Sequence, residues 1–325
     1  MRTRSLLATA LAVLWAPVPG QASARALSPP RTAIFYYPWY SSPARDGGYS
    51  HWSQLGHSPP RDVASNYYPA RGAYSSSNPS VLQAQMREIA RAGVGEVVSS
   101  WWGFGSPEDE RLPAVAAAAR AFGLQVAVHI EPYDGRTAQT VGGDIARLRG
   151  LGITDFYVYR PADIPAADWA TLNASLTGVR VFAQTNLPGL AAAGKFTGLY
   201  TYDVLLYGGG NFGRICAEAH RLNLLCAPSV GPGSEAAAAT GDARVKLRLR
   251  GATYDSMWRL ALDASADLVT ITSYNEWSEG TQIEPASSRV PGYETYDGSY
   301  GLTGKTAERA YLMRTGYWTA QFALR

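Results

Sequence analysis

Two glutamates three residues apart, Glu276 and Glu279, have the clearest potential for chemistry in this 325-residue sequence. They lie in ITSYNEWSEGTQIEPA (271–286), where a β-branched run ends in a polar, turn-rich stretch. Hydrolysis of a glycosidic bond commonly uses two carboxyl groups that act on one bond. The spacing allows both side chains to face one cleft, so we predict that they are catalytic. The alternative is that Glu276, Glu279 and Glu284 are solvated acids of a surface loop.

A second polar pair, His129 and Glu131, ends the apolar run LQVAVHIE (124–131). Alternate residues of a strand point to the same side. At the carboxyl end of a barrel strand such residues are more typical of ligand contact than of core packing. A hydrogen-bonded structural pair at the barrel rim is the other interpretation. H-x-E also occurs in zinc sites, but no further ligands follow at suitable spacing, so we predict no metal.

Aromatic residues with a polar group are abundant, since 20 Tyr and 9 Trp accompany only 8 Phe. Such rings suit sugars, whose C–H faces stack while their hydroxyls form hydrogen bonds. A barrel that simply buries many aromatics would show the same composition. Strand alternation allows only every second residue of FYYPWY (35–40) to face the barrel axis, so about half of these aromatics should be structural. Candidate substrate-binding residues from these aromatic runs and from the flanks of the glutamates are Tyr37, His51, Trp52, Trp102, Asn275 and Trp277.

The elements that must position these residues alternate between short β-branched or aromatic runs and Ala-, Leu- and Arg-rich runs of helical period. This pattern predicts an α/β fold, and eight strands predict a closed (β/α)8 TIM barrel with extended βα loops. We predict strands at about 33–40, 95–101, 124–131, 155–160, 180–185, 197–203, 224–230 and 267–274. We predict helices at 80–92, 110–122, 138–149, 211–222, 254–264 and 306–322, and long functional loops at 41–78 and 275–305.

Charge and motifs exclude several classes of function. The formal net charge is +3, and without Arg2 and Arg4 it is +1, which gives no electrostatic reason to expect nucleic acid as a partner. No G-x-x-x-x-G-K-[ST] or G-x-S-x-G motif occurs. GGGNFG (208–213) lacks the acidic ribose partner of a dinucleotide site. We therefore predict no cofactor.

The first 24 residues have the pattern of a secretory signal peptide, with Arg2 and Arg4 before an apolar run and a small-residue end at Ala24. We therefore expect a secreted or periplasmic protein, outside the membrane after signal removal, with one barrel domain at 25–325 that acts as a monomer. Cys216 and Cys226 are the only cysteines. Either a disulfide or two buried thiols fits this sequence.

Nine ordered blocks resemble glycoside hydrolase family 99, the endo-α-1,2-mannosidase family. They are FYYPWY (35–40), HW (51–52), YYPARGAYSS (67–76), SWWG (100–103), HIEPY (129–133), FYVY (156–159), LYTYD (199–203), PSVGPG (228–233) and NEWSEGTQIE (275–284). The resemblance implies a (β/α)8 barrel that acts on α-mannosides of N-glycans or yeast-type mannan, with retention of configuration and without metal.

The resemblance also implies roles for single residues. Glu276 would deprotonate the substrate's own 2-hydroxyl, which attacks C1 to give a 1,2-anhydro sugar, while Glu279 would protonate the leaving oxygen and then activate water. The residues implied around the reacting sugar are Tyr37, His129, Glu131, Tyr133 and Tyr202. Trp102 matches a position that holds the next sugar outward, with Trp in bacterial members and Tyr in animal members, which implies a preference for mannose-capped mannan.

Four features depart from the family pattern. Ser278 stands where His is usual, and Arg160 stands where Asp is usual after FYVY. Segment 234–250 lacks the expected aromatic-bearing loop, and the region between strands four and six is shortened. These departures leave two other hypotheses open. One is a barrel glycosidase for another α-glycan, and the other is a catalytically silent glycan-binding protein.

Overall fold

The barrel consists of short parallel strands with helices on its outside. The computed structural model describes residues 31–325. Its strands are β1 (Thr32–Tyr36), β2 (Glu96–Trp101), β3 (Gln125–Ile130), β4 (Asp155–Val158), β5 (Arg180–Gln184), β6 (Gly198–Tyr200), β7 (Leu225–Ala227), β8 (Ser229–Val230), β9 (Ser234–Glu235), β10 (Val245–Lys246) and β11 (Val269–Ile271). Its α-helices are α1 (Pro43–Asp46), α2 (Pro79–Arg91), α3 (Pro107–Ala121), α4 (Ala138–Arg149), α5 (Ala166–Ser175), α6 (Pro188–Ala193), α7 (Phe212–Arg221), α8 (Ala237–Thr240), α9 (Ala252–Asp263), α10 (Gly304–Ala307) and α11 (Ala310–Ala323).

The main sheet closes on itself through an interrupted strand. Its order is β7-β6-β5-β4-β3-β2-β1-β11-β8, and β7 and β8 are separated only by Pro228. Proline has no N–H to donate, so the ladder breaks there. On one side of the break β7 pairs with β6, and on the other β8 pairs with β11, both in parallel. The two pieces act as the seventh of eight strands, which confirms the predicted (β/α)8 barrel.

All eight predicted strands are present, but most end earlier than predicted. The predicted strand 33–40 ends at Tyr36, because the next N–H, that of Tyr37, donates to the Asn275 side chain (2.8 Å) instead of to a strand. The predicted strand 197–203 similarly ends at Tyr200. The residues removed from the strands are those that enter the mouth of the barrel.

The helices begin where side chains cap their free N–H groups. Ser106 accepts a hydrogen bond from Asp109 N, so α3 begins at Pro107, three residues before the predicted start at 110. Thr137 and Thr140 form a reciprocal capping box at α4. The sequence prediction missed α5, in which Trp169 is the only buried side chain, and the six-residue α6.

The two long loops pair with each other at the carboxyl ends of the strands. Tyr67 forms a parallel bridge with Glu294, and Pro69 forms an antiparallel bridge with Ala286. Ser287 N also donates to Tyr68 O (2.7 Å). The loops predicted at 41–78 and 275–305 therefore form one wall of the barrel mouth.

A disulfide joins Cys216 on α7 to Cys226 on β7, whose Cα atoms are 5.2 Å apart. This decides between the two states that the sequence left open. Within residues 31–325, no helix is long and apolar enough to cross a membrane. The predicted signal peptide, 1–24, lies outside the described residues, and the domain boundary at residue 25 stays a prediction.

Candidate active site

The floor of the site is a cluster of rings at the carboxyl ends of the strands. Phe35 of β1 lies at its centre, with ring centroids 4.7 Å from His129 and 5.0 Å from Tyr202. The His129 ring stacks on Tyr202 at 5.3 Å. Tyr200 of β6 lies 5.5 Å from Phe35. The predicted residues Tyr202 and His129 are therefore brought together, although they lie more than seventy positions apart in the sequence.

Tyr202 has an unusual backbone that directs its phenol toward Glu276. Its φ is +56°, the left-handed region that tyrosine rarely adopts. Two strand ends hold it there: its N–H donates to Ser229 Oγ (2.7 Å), and Thr272 Oγ1 donates to its carbonyl (3.0 Å). The phenol donates to Glu276 Oε2 (2.8 Å) and is also hydrogen-bonded to the phenol of Tyr37. Strain at this position is thus offset by contacts that orient a site residue.

Glu276 lies at the bottom of the site, with only 5% of its surface exposed. Its N–H donates to Ser273 Oγ (2.8 Å). The preceding residue, Asn275, connects this loop to the end of β1: its Oδ1 accepts from Tyr37 N, and its Nδ2 donates to Tyr37 O (2.9 Å). The backbone that carries Glu276 and the backbone that carries Tyr37 are therefore held in register.

Glu279 ends a single 3-10 turn, Trp277–Glu279, and is only partly buried. The next residue, Gly280, has φ +62°, and a Cβ there would lie 2.6 Å from the carbonyl oxygen of Glu235. Arg248 Nη2 donates to the carbonyls of Gly280 (2.9 Å) and Gln282 (2.8 Å). Ser234 Oγ donates to the carbonyl of Glu279 (3.2 Å). The loop behind Glu279 is therefore fixed, while Glu279 itself keeps part of its surface exposed.

The two carboxyl groups differ in what surrounds them. Burial raises the pKa of Glu279 to about 7, and the charges of Asp203 and Glu131 act in the same direction. Burial and then the charge of Glu279 raise the pKa of Glu276 well above its usual value, whereas hydrogen bonds from Tyr202 and Tyr37 act to lower it. Because repulsion between the two is mutual, the pair favours holding one proton near neutral pH. The tyrosine hydrogen bonds favour Glu276 as the member that is ionised.

His129 and Glu131 form a buried hydrogen-bonded pair beside these carboxyl groups. Glu131 Oε1 accepts from Ser100 Oγ (2.9 Å) and lies 2.8 Å from His129 Nδ1. His129 Nε2 lies 2.7 Å from the phenol of Tyr200. Among residues 31–325 there is no group of three or more His, Cys, Asp or Glu placed to hold a metal ion.

A stack of rings leads from the rim to the floor. His51 is half-buried and lies parallel to Trp39 at 4.4 Å, and Trp39 contacts Tyr37 at 4.6 Å. Burial and the charge of Arg111 lower the pKa of His51 to about 4, so its imidazole is neutral at neutral pH. The predicted residue His51 is thus at the site, and it contacts the floor through Trp39, which the sequence prediction did not select.

Three predicted substrate-binding residues are fully buried behind the site: Trp52, Asn275 and Trp277 are each 0% exposed. Trp52 Nε1 donates to Tyr74 O (2.8 Å), and Trp277 Nε1 donates to Glu284 Oε2 (2.9 Å). A side chain without exposed surface cannot contact a sugar unless it moves. We therefore correct these three to supports of the loops that carry Tyr37 and Glu276.

Glu284 is also a support, because its carboxyl group is enclosed by donors. It accepts hydrogen bonds from Arg71, Tyr74, Gln85 and Trp277, and only 1% of its surface is exposed. The alternative that the three glutamates of this loop are solvated is therefore wrong for Glu284 and for Glu276. Partial burial of Glu279 separates it from an ordinary surface acid as well.

Sequence reasoning missed Tyr159, Tyr200 and Asp203. Burial raises the pKa of Tyr159, and the charges of Glu279, Glu131 and Glu276 act in the same direction, which places Tyr159 near the site. Strand alternation could have indicated Tyr200. It lies two positions before the predicted residue Tyr202, and residues two apart in a strand point to the same side. Asp203 directly follows Tyr202, and its Oδ1 accepts from Leu205 N (2.9 Å) and Leu206 N (3.0 Å).

Three of the four departures from the family pattern can be placed in the structure. Ser278 is buried in the turn between the two glutamates. Arg160 has φ +49° and pairs with Asp163 (3.2 Å) on the surface, away from the floor of the site. Segment 234–250 forms the antiparallel pair β9–β10 and the short helix α8.

The sequence of this chain is similar to those of known glycoside hydrolases. The family model described as "Glycosyl hydrolase family 99" matches residues 53–193 and 176–324. The chain is 33% identical to the "Glycoprotein endo-alpha-1,2-mannosidase-like protein" of Danio rerio, over 78% of this chain and 70% of that protein. It is 30% identical to the "Glycoprotein endo-alpha-1,2-mannosidase" of Xenopus laevis, over 81% and 72%.

Solved structures agree with the sequence comparison. Two structures of the GH99 endo-alpha-mannosidase from Bacteroides thetaiotaomicron are similar to this chain, with TM-scores of 0.81 and 0.80 at 30% sequence identity. The similarity covers 90% of this chain and 97% and 98% of those two. The similarity therefore extends over most of the chain.

Proposed function

The chain belongs to glycosyl hydrolase family 99 and is a glycoside hydrolase, and from this premise we propose that it is a retaining endo-α-mannosidase. Its proposed substrates are the internal α-mannosidic bonds of mannan or high-mannose glycans. The relatives named as endo-α-mannosidases support this substrate class. The observation that carries the proposal is the contrast between buried, tyrosine-bonded Glu276 and partly exposed Glu279 at one barrel mouth.

The first proposed step uses the substrate's own hydroxyl as the nucleophile. Ionised Glu276 accepts the proton of the 2-hydroxyl, and that oxygen attacks C1 to close a 1,2-anhydro ring. The bond from C1 to the leaving oxygen breaks, and this oxygen takes the proton of Glu279. An intramolecular attack of this kind avoids the entropy cost of bringing two groups together. Burial of Glu276 suits it, because its only partner in this step is a hydroxyl of the bound sugar.

The second proposed step reverses the roles of the two acids. Glu279, now ionised, accepts a proton from water, and the water oxygen attacks C1. The bond from C1 to O2 breaks, and O2 takes its proton back from Glu276. Two inversions at C1 give net retention. Partial exposure of Glu279 supports its role, since the acid must contact first the leaving group and then water.

A test of the function is incubation of the purified protein with yeast α-mannan and with other α-glycans. Oligosaccharides should be released from mannan, and proton NMR should show the α-anomer first. Variants Glu276→Gln and Glu279→Gln should release none, whereas Glu218→Gln, which changes an acid on the outer helix α7, should act as wild type. Products from another α-glycan alone would overturn the mannan assignment, and glycan binding without products would indicate a binding protein.

We also propose that the protein is exported and acts as a monomer outside the membrane. The apolar N-terminal pattern at 1–24 supports export, and the Cys216–Cys226 disulfide is compatible with an oxidising compartment. Expression with the native N-terminus should give protein outside the cytoplasm with a new N-terminus near residue 25. Light scattering should give the mass of one chain, and a multiple of that mass would contradict the monomer.

A further inference from the structure

A groove beside the active site lies at the ends of β2 and β3. It has a volume of about 600 Å³, and its lining includes Trp102, Phe104, Tyr133, Asp134, Thr140 and Asp144. We call these residues the distal groove. Tyr133 lies two positions after Glu131, and its ring packs on Gly103, where a Cβ would lie 3.1 Å from the ring. The distal groove is therefore continuous with the residues beside the two glutamates, and its volume is within the usual range of ligand sites, about 300–1,000 Å³.

Phe104 gives the distal groove an exposed ring that is held in place. It is 75% exposed, and the guanidinium of Arg147 lies 4.3 Å from its centroid. Arg147 also pairs with Asp109 (2.5 Å), which accepts hydrogen bonds from Trp101 Nε1 (2.8 Å) and Gly105 N (3.0 Å). The loop on both sides of Phe104 is thus fixed to α3 and α4. A rigid exposed ring costs little ordering entropy when it stacks on a ligand.

The lining of the distal groove also supplies polar groups. The phenol of Tyr133 bonds to Asp144 Oδ2 (2.5 Å) and lies 3.3 Å from Thr140 Oγ1. Asp134 adds a carboxyl group at the groove. Carboxylate and hydroxyl oxygens in one groove with an exposed aromatic ring match a sugar, which has an apolar C–H face and hydroxyls around its edge.

The position of the distal groove indicates which end of a glycan chain it would contact. Glu279, which donates to the leaving oxygen, lies beside Asp203 after β6 and is bonded through its carbonyl to Ser234 after β8. The leaving side of the substrate therefore lies toward β6 and β8. The distal groove follows β2 and β3, and β2 is four strands from β6 in either direction around the eight-strand barrel. It therefore lies on the non-reducing side.

We propose that the distal groove binds an additional α-mannosyl residue on the non-reducing side of the substrate, beyond the sugar next to the reacting one. Phe104 stacks on this third ring, and Asp144 and Asp134 accept its hydroxyls. This inference rests on the proposed function for the direction of the chain. It makes Phe104 a residue that determines preference for chain length.

The test compares aryl glycosides of α-linked mannobiose and mannotriose that carry the same leaving group and differ only at the non-reducing end. For wild type, KM for the triose should be lower than for the biose by on the order of fivefold. In Phe104→Ala this advantage should disappear, while kcat/KM for the biose stays unchanged. Tyr317→Ala is the matched control, because Tyr317 is also exposed and also lies 4.3 Å from an arginine, Arg314, but on the outer helix α11.

The possible results distinguish failure of the groove proposal from failure of the proposed function. If wild type cleaves both substrates with equal KM, or if the triose advantage survives in Phe104→Ala, the groove proposal is overturned while the function stands. The groove proposal is also overturned if KM falls only when the substrate is lengthened at its reducing end. If wild type cleaves no mannoside, the proposed function fails, and calorimetric affinities of free mannobiose and mannotriose then decide the groove. Equal affinities overturn it, and a triose advantage that is lost in Phe104→Ala supports it.

Discussion

The phenol of Tyr202 donates a hydrogen bond of 2.8 Å to Glu276 Oε2, from a backbone with φ +56°. This contact joins the end of β6 to the loop after β11. A hydrogen bond to a carboxylate stabilises its charged form, so it opposes the rise in the pKa of Glu276 that burial causes. The protonation of Glu276 therefore depends on the unusual backbone conformation of Tyr202.

Replacement of Tyr202 by Phe should weaken activity and shift its pH dependence. Without the hydrogen bond the pKa of Glu276 rises, so less of it is ionised at acidic pH, and the acidic limb of kcat/KM moves to higher pH. A hydrogen bond to a charged group is worth about 1.5–3 kcal/mol, so kcat/KM should fall about 10- to 100-fold. The control is Tyr317→Phe, at an exposed position on α11. A lower rate with an unmoved acidic limb in Tyr202→Phe would contradict this role.

Wild-type kcat/KM should decline as pH rises through about 7, because the acid Glu279 must be protonated and its pKa is raised to about that value. In Glu279→Gln, substrates with poor leaving groups should lose about 100- to 10,000-fold in rate, and activated aryl mannosides much less. The alkaline decline should vanish with the activated substrates. The acidic limb should stay close to its wild-type position, since Glu279 is already protonated and uncharged at the pH where Glu276 titrates. Equal losses on both kinds of substrate would argue against Glu279 as the acid.

Participation of the 2-hydroxyl predicts that a mannoside with hydrogen or fluorine in its place is bound but not cleaved. Binding is measured by competition with the normal substrate, and turnover by release of an activated aryl group. An enzyme carboxylate that attacked C1 itself would still release that group. Cleavage of the 2-deoxy substrate at a rate near that of the normal one would therefore rule out the proposed first step.

Arg248 should stabilise the loop after Glu279. Its guanidinium lies 4.6–4.8 Å from the rings of Tyr67, Tyr296 and Tyr311 and donates to two loop carbonyls. Arg248→Ala removes both hydrogen bonds and the contacts with the rings, so we expect a loss of about 3 kcal/mol in the free energy of unfolding, measured in denaturant, and a lower kcat. Arg259→Ala, at an exposed position on α9, should change neither. A stable Arg248→Ala with normal kcat would show that the loop is held by other contacts.

Gly280 should tolerate alanine poorly for a reason that Gly301 does not share. Both have positive φ, +62° and +75°, so each pays about 1 kcal/mol for a side chain in the left-handed region. At Gly280 the new Cβ would also lie 2.6 Å from the carbonyl oxygen of Glu235, whereas at Gly301 nothing lies within 4 Å. Gly280→Ala should therefore be less stable than Gly301→Ala by about 1–3 kcal/mol and less active. Equal stabilities would show that the neighbouring strand β9 yields to the new side chain.

The barrel was predictable because its elements depend on local patterns. Each strand is a short apolar or aromatic run, and most helices have an apolar face at helical spacing. The errors fall where tertiary contacts outweigh the pattern. The N–H of Tyr37 leaves the ladder for Asn275, and α5 has too few buried residues to show a helical pattern.

The catalytic pair could be proposed from sequence because Glu276 and Glu279 are neighbours in one loop. Whether the residues around them are buried or exposed could not be predicted from the sequence. Trp52 and Trp277 look like sugar-binding residues in the sequence, yet both are completely buried. Nothing in the sequence marks Phe104 as a candidate binding residue, yet it is one of the most exposed rings of residues 31–325. Exposure depends on neighbours from distant segments, which no local pattern records.

By itself the sequence determined the fold class and the loop in which the two acids lie, because periodicity and spacing act over a few residues. Tertiary structure alone decided which side chains open onto the cleft and which acid is surrounded by donors. Tyr202 and Tyr37 reach Glu276 from 74 and 239 positions away in the chain, and Asp203 reaches Glu279 from 76. Burial and charge act through space, so protonation could be assigned only after the barrel had brought these segments together.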